Sequence, residues 1–158
     1  MPDNCPICTL ENVELKVIKD KLWKYTCRRC GSYFISRDAH NLITNDSIMS
    51  IEERFFLSGY LRWRDIRGGE LATVYQNYRK ELLPIARESA PKTHWDRIDL
   101  ILEFFSRKQG QMDYTLLFVP EIDKSLLFTD HDGALKFYTD EMVKRRLLEP
   151  LKSNERYL

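Results

Sequence analysis

A chain of 158 residues holds one ordinary domain or two small ones sharing a core, and excludes a large multidomain enzyme. With 43% hydrophobic and 31% charged residues it has the apolar content of a folded protein and not of a disordered one. Lys+Arg 25 against Asp+Glu 24 leaves a net charge of +1, so a nucleic-acid surface would have to be local. No apolar run reaches the length of a membrane span. Met1-Pro2-Asp3-Asn4 also lacks the basic head and apolar middle of a signal peptide, so the cytoplasm is the expected location and no membrane is an expected partner.

All four cysteines, Cys5, Cys8, Cys27 and Cys30, form two C-x-x-C pairs with 18 residues between them. That spacing falls within the two-knuckle zinc pattern, in which each tight turn aims two thiolates at one point. Between the pairs, Val13, Leu15 and Val17 alternate with Glu14 and Lys16, Lys19-Asp20-Lys21 turns, and Leu22 to Thr26 returns, which predicts a hairpin. Ser32 to Ile35 offers a third strand. Four thiolates complete a tetrahedral shell with no open position, so the expected Zn2+ is structural and not catalytic. Redox dithiols or disulfides are the competing readings, and a cytoplasmic chain without a thioredoxin-like βαβ context disfavours both. In the knuckles Cys5-Pro6-Ile7-Cys8-Thr9 and Cys27-Arg28-Arg29-Cys30-Gly31, Gly31 suits a positive φ, and Thr9 departs from glycine at the matching position. Cys5 to Ile35 resembles a zinc ribbon.

Further along, Arg37 to Ile43 predicts a short helix. Ser50-Ile51-Glu52-Glu53 has capping-box form ahead of a central helix running to about Asp65, whose many apolar residues call for packing on the ribbon and on a later helix. Gly68-Gly69 stops that helix as a C-cap turn; no phosphate-loop motif surrounds the pair. Leu71 to Ile85 predicts a helix broken near Pro84, and Ala90-Pro91-Lys92 a linker. Thr93 is the expected N-cap of a helix ending at Gly110. Tyr114 to Val119 and Leu126 to Phe128 read as strands, and Asp130 or Asp132 as the cap of a last helix on which Leu135, Tyr138, Met142 and Arg146 edge the core-facing side. Leu148 to Leu151 and Arg156 to Leu158 suggest a terminal hairpin. The predicted class is α+β, in three parts: a four-cysteine zinc ribbon (1–36), a helical segment packed on it (37–92) and a winged-helix-like domain (93–158).

Three stretches carry a wider resemblance: Cys27-Arg28-Arg29-Cys30-Gly31-Ser32-Tyr33-Phe34-Ile35-Ser36, Leu57-Ser58-Gly59-Tyr60-Leu61-Arg62, and Glu155-Arg156-Tyr157-Leu158. With the ribbon and the helix-strand-helix order, they resemble the front end of bacterial multidomain proteins in which a zinc ribbon and a winged-helix-like segment precede a TIR-like or nucleoside-deoxyribosyltransferase-like domain. The resemblance implies a sensing or partner module of anti-phage defence or signalling, serving a catalytic domain expected beyond Leu158. No catalytic residue carries over.

His40, His94 and His131 are isolated in sequence, and neither H-E-x-x-H nor G-x-S-x-G is present. Asp130-His131-Asp132-Gly133 could orient a base or ligate a metal, and reads more plainly as a polar turn capping a helix. Tyr60, Tyr75, Tyr78 and Tyr138 read as core residues on helical faces. No enzyme activity is therefore expected, and no small-molecule substrate is identified. Trp23 and Tyr25 lie among the ribbon's lysines, where they could stack nucleobases, although covering the small core is the plainer role. Residues 1–36 carry +2 and residues 93–158 carry −2, which opposes seating the latter on a phosphate backbone. Lys144, Arg145, Lys152 and Arg156 are the candidate nucleic-acid contacts of a DNA-binding winged-helix alternative. The leading expectation is a binding module for a protein partner or for its own downstream domain.

Overall fold

The computed structural model describes residues 4–45, 49–109, 124–129 and 131–147. In chain order they form β1 (Glu14–Lys19), β2 (Leu22–Cys27), β3 (Gly31–Ser36), α1 (Arg37–Asn45), α2 (Ile51–Ile66), β4 (Thr73–Val74), α3 (Tyr78–Ser89), α4 (His94–Gln109), a 3-10 turn (Lys124–Leu127) and α5 (Asp132–Lys144). The architecture is α+β, with the cysteine cluster at its N-terminal end.

β1, β2 and β3 form an antiparallel meander with Leu15 opposite Tyr25, and Tyr25 opposite Tyr33. Period-two alternation sends Gly31, Tyr33 and Ile35 of β3 inward. β4 adds to the far side of β3 in parallel, with Phe34 opposite Thr73 and Ile35 opposite Val74, giving the order β1-β2-β3-β4. Here the structure corrects the helix expected from Leu71. The sheet edge captures Thr73 and Val74, α3 starts only at Tyr78, and Tyr75 is consequently 52% exposed instead of lying in the core. α3 runs through Pro84, because burying Leu83 and Ala86 outweighs the single backbone hydrogen bond that proline removes.

α2 holds the fold together. Ser50 and Glu53 form the predicted capping box, the Glu53 amide donating to Ser50 Oγ at 3.1 Å and the Ser50 amide to Glu53 Oε2 at 2.9 Å. At its other end Gly68 takes φ 70° and its amide donates to the Asp65 carbonyl at 3.1 Å. One face of α2 contributes Leu57 and Leu61 to a core shared by the ribbon, α1, α2 and α3. Another contributes Trp63 to a cluster with Phe104 and Leu126. Ile98, Ile101, Leu127, Leu135, Tyr138 and Met142 make a further cluster between α4, the 3-10 turn and α5. The Trp63 indole donates to the Leu126 carbonyl at 2.9 Å, Ser125 Oγ donates to the Arg29 carbonyl at 2.7 Å, and Arg67 pairs with Glu103. These tie the chain after Pro91 to the chain before it.

Leu126 to Phe128 is not a strand. Leu126 and Leu127 are consecutive and both fully buried, which strand alternation does not allow and a 3-10 turn does. α4 starts where Thr93 places it: the Asp96 amide donates to Thr93 Oγ1 at 3.1 Å, and the Thr93 amide donates back to Asp96 Oδ2 at 2.8 Å. For α5, His131 and neither aspartate occupies the N-cap position, with no side-chain cap bond; Asp130 lies outside the described residues and Asp132 is the first helical residue. Arg146 does not extend the core-facing side of α5. It sits past the helix end at φ 58°, where its amide and that of Leu147 donate to the carbonyls of Val143 and Met142, a Schellman motif with arginine in the left-handed position. The expected strand at 114–119 and terminal hairpin at 148–158 lie outside the described residues. Among the described residues no helix is long and apolar enough to cross a membrane.

Candidate metal centre

Two turns separated by a hairpin bring all four cysteine sulfurs within 4.8 Å of one another, and each cysteine is buried. Cys5 and Cys30 Sγ are 3.7 Å apart, and Cys8 and Cys27 Sγ 3.5 Å. Disulfide sulfurs would lie about 2.05 Å apart, whereas a tetrahedral ion with metal–sulfur bonds of ~2.3 Å sets sulfur–sulfur edges of about 3.8 Å. The donor set therefore fits a four-coordinate thiolate-bound ion and not a pair of disulfides.

Local backbone geometry explains the convergence. In the first knuckle the Thr9 amide donates to the Cys5 carbonyl at 2.8 Å and the Cys5 amide to the Leu10 carbonyl at 2.9 Å, closing the turn. Thr9 takes φ 61°, and Gly31 at the matching position of the second knuckle takes φ 74°. The departure noted in the sequence leaves the turn intact: threonine adopts the left-handed conformation despite its branched Cβ, and its Oγ1 donates to the Cys8 carbonyl at 2.7 Å. Gly31 has a second reason to lack a side chain, since a Cβ there would lie 2.6 Å from the Cβ of Asp65 on α2.

Protonation chemistry also asks for a cation. Burial pushes the Cys5 and Cys30 thiols well above the ordinary thiol range, while the hydrogen bonds reaching Cys27, that from Cys30 first, hold it far below. Thiolate charge buried in this way is costly unless a cation offsets it.

Several groups outside the ligand set support the sulfurs, and the cysteine spacing alone did not name them. Tyr33 Oη lies 3.1 Å from Cys5 Sγ, and burial pushes its pKa upward, so it stays a phenol able to donate to a thiolate. Ser58 Oγ lies 3.4 Å from Cys30 Sγ, and the Cys30 amide donates to Cys27 Sγ at 3.5 Å. The inward alternation of Gly31, Tyr33 and Ile35 is the sequence signal that could have found Tyr33. Two arginines fix the first knuckle: Arg29 Nη1 donates to the Cys8 carbonyl at 3.1 Å, and Arg54 Nη1 to the carbonyls of Pro6 and Ile7 at 3.0 and 2.8 Å.

The other candidate residues do not join this centre. His40 packs its ring against Trp23 and Tyr25, His94 against Tyr138, and His131 starts α5. Tyr25 is buried against Tyr33 and Trp23 packs on the shared core, so both cover the ribbon. Lys144 is exposed at the end of α5. Arg145 pairs with Glu141 at 2.9 Å and lies over the Trp95 ring, while Lys152 and Arg156 lie outside the described residues.

Compared with protein-family models, with curated proteins and with solved structures, the chain finds no match.

Proposed function

We propose that this chain is a zinc-stabilised, non-catalytic binding module that engages a protein surface, either a separate partner or a downstream domain. The observation that carries the reading is the buried cluster of four cysteine sulfurs, which leaves a bound ion no position for substrate or water. Zinc suits the site because it prefers tetrahedral thiolate coordination and brings no redox chemistry; iron is the rival for an all-sulfur shell. The histidines supply no catalytic constellation: His40 and His94 pack against separate aromatic rings, and His131 is exposed at the N-cap of α5. The resemblance to ribbon-bearing defence and signalling proteins favours a sensing or partner role in such a system, with a winged-helix-like C-terminal part.

DNA reading by that part ranks second. Arg145 is already committed to Glu141 and Trp95, and residues 93–158 are net acidic. The test is affinity purification of the full chain with nuclease treatment, beside a gel shift. A co-purifying protein that survives the nuclease supports the proposal. Tight, sequence-selective DNA retention lost when Lys144, Arg145, Lys152 and Arg156 are all changed to Ala would overturn it.

A further inference from the structure

A cleft of ≈ 280 Å³ lies where the first knuckle, the second knuckle, α2 and the 3-10 turn meet. Its walls divide by chemistry. Arg29, Arg54 and Lys124 supply cationic groups, and Ile51 and Phe55 supply an apolar side. Among the described residues no carboxylate lines it. Ile51 is 68% exposed at the first position of α2, a placement that core packing does not explain.

Arg54 is the informative side chain. Its Nη1 is spent on the carbonyls of Pro6 and Ile7, which clamp the guanidinium in one orientation at the cleft wall. A guanidinium has five donors in a rigid plane, so fixing one nitrogen presents the remaining fork to a bidentate acceptor at little further cost in side-chain entropy. The electrostatic excess is small, because four thiolates around a divalent ion keep a charge of about −2 behind the knuckle. That balance suits one phosphomonoester better than a polyphosphate chain. The volume lies near the ~300 Å³ lower end for ligand pockets, which admits a mononucleotide-sized molecule, and Phe55 offers a ring on which a planar base can rest.

We infer that this cleft binds a nucleoside monophosphate, with Arg54 taking the phosphate and Ile51 and Phe55 the base. The site is distinct from the protein-docking role proposed above and adds a small-molecule input beside the metal centre. Because the clamp on Arg54 is the backbone of the first knuckle, occupancy and metal retention are linked: ligand that binds only the folded knuckle raises the stability of the loaded protein.

Isothermal titration of the full, metal-loaded chain with adenosine monophosphate, adenosine and inorganic phosphate tests the inference. Zinc content and melting temperature are measured on every sample, so failure of the metal reading shows as absent zinc and not as absent ligand binding. The expected result is monophosphate binding in the micromolar to millimolar range, about tenfold tighter than either fragment. Arg54→Lys, which keeps the charge and loses the fork, and Ile51→Glu, at an exposed helix start, should each weaken it about tenfold. Ile51→Glu leaves the knuckle contacts alone, so it remains informative if Arg54→Lys loses metal. No monophosphate binding by zinc-loaded protein, equal binding of inorganic phosphate, or binding unchanged in Ile51→Glu would overturn the assignment.

Discussion

Thr9 and Gly31 occupy the same place in the two knuckles and share the left-handed conformation, at φ 61° and 74°. Only one of them is the residue that this conformation favours. A left-handed backbone costs a non-glycine residue roughly 1–2 kcal/mol, so Thr9→Gly should stabilise the metal-loaded protein by about 1 kcal/mol after the loss of its hydroxyl bond and the gain in unfolded-state entropy. Gly31→Ala should destabilise it by about 3 kcal/mol or more, since the same φ penalty is joined by a clash with Asp65. Denaturant midpoints of the three proteins check both signs.

Removing a ligand and removing a supporting donor should separate cleanly. Cys27→Ser is expected to lose the metal, read as zinc falling from one equivalent by elemental analysis. Tyr33→Phe keeps all four sulfurs and removes the phenol 3.1 Å from Cys5 Sγ, so the metal should remain with affinity lowered roughly 10-fold or more in competition with a chelator. Full chelation should melt α2 and α3 together with the ribbon, because Leu57, Leu61, Leu83 and Ala86 share its core. Hydrogen exchange that opened the ribbon amides alone would refute this.

Gly59 makes room for the 3-10 turn. A Cβ there would lie 2.6 Å from the Phe128 ring and 2.9 Å from the Ser125 carbonyl oxygen. Phe128 itself takes φ 53° in this notch. Gly59→Ala should destabilise by about 1–3 kcal/mol, after allowing for alanine's better helix propensity, and should release the Trp63 indole from Leu126. Thermal melts and protection of the Trp63 indole proton from exchange report the two effects.

Acid should weaken the joint between α2 and α4. The Arg67 guanidinium, which donates to Glu103 through both Nε and Nη2, holds the Glu103 carboxyl below the usual carboxylate range, with Arg107 helping. Because the folded-state pKa is depressed, the contribution is complete above the unfolded carboxylate value of ~4.3 and is lost as pH falls through the lower folded value. The pair is partly exposed, so its worth is under about 1 kcal/mol. Glu103→Gln should flatten the stability profile over that acid window, lowering neutral-pH stability by that same amount, under about 1 kcal/mol, and matching the parent at the acid end.

What the sequence made legible was chiefly local. The cysteine spacing, the Ser50–Glu53 box and the Thr93 cap each lie within a few residues of the atoms they satisfy. The α+β character and the thiolate cluster follow from them. Thr73 and Val74 could not be read as a strand, because two residues carry no period and their partner strand begins about forty positions earlier. Leu126 and Leu127 were ambiguous for the opposite reason: two adjacent apolar residues suit a strand as well as a turn until both prove buried. The supports of the metal centre were hidden by distance along the chain, Ser58 reaching Cys30 from α2 and Arg54 reaching Pro6 and Ile7. Arg146 misled because its spacing continues a helical face past the point where the backbone has turned away.

The parallel pairing of β4 with β3 has a consequence for biosynthesis. Translation proceeds from the N-terminus, so the three ribbon strands emerge and can take up metal while their fourth member is still being made. Until Thr73 and Val74 have been synthesised and released, the outer side of β3 is an open template for another nascent chain, and the Phe34 amide lacks the Ala72 carbonyl that later accepts it at 2.9 Å. Early metal capture fixes the ribbon but leaves that side uncovered, so the vulnerable interval is set by ribosome speed and not by metal supply.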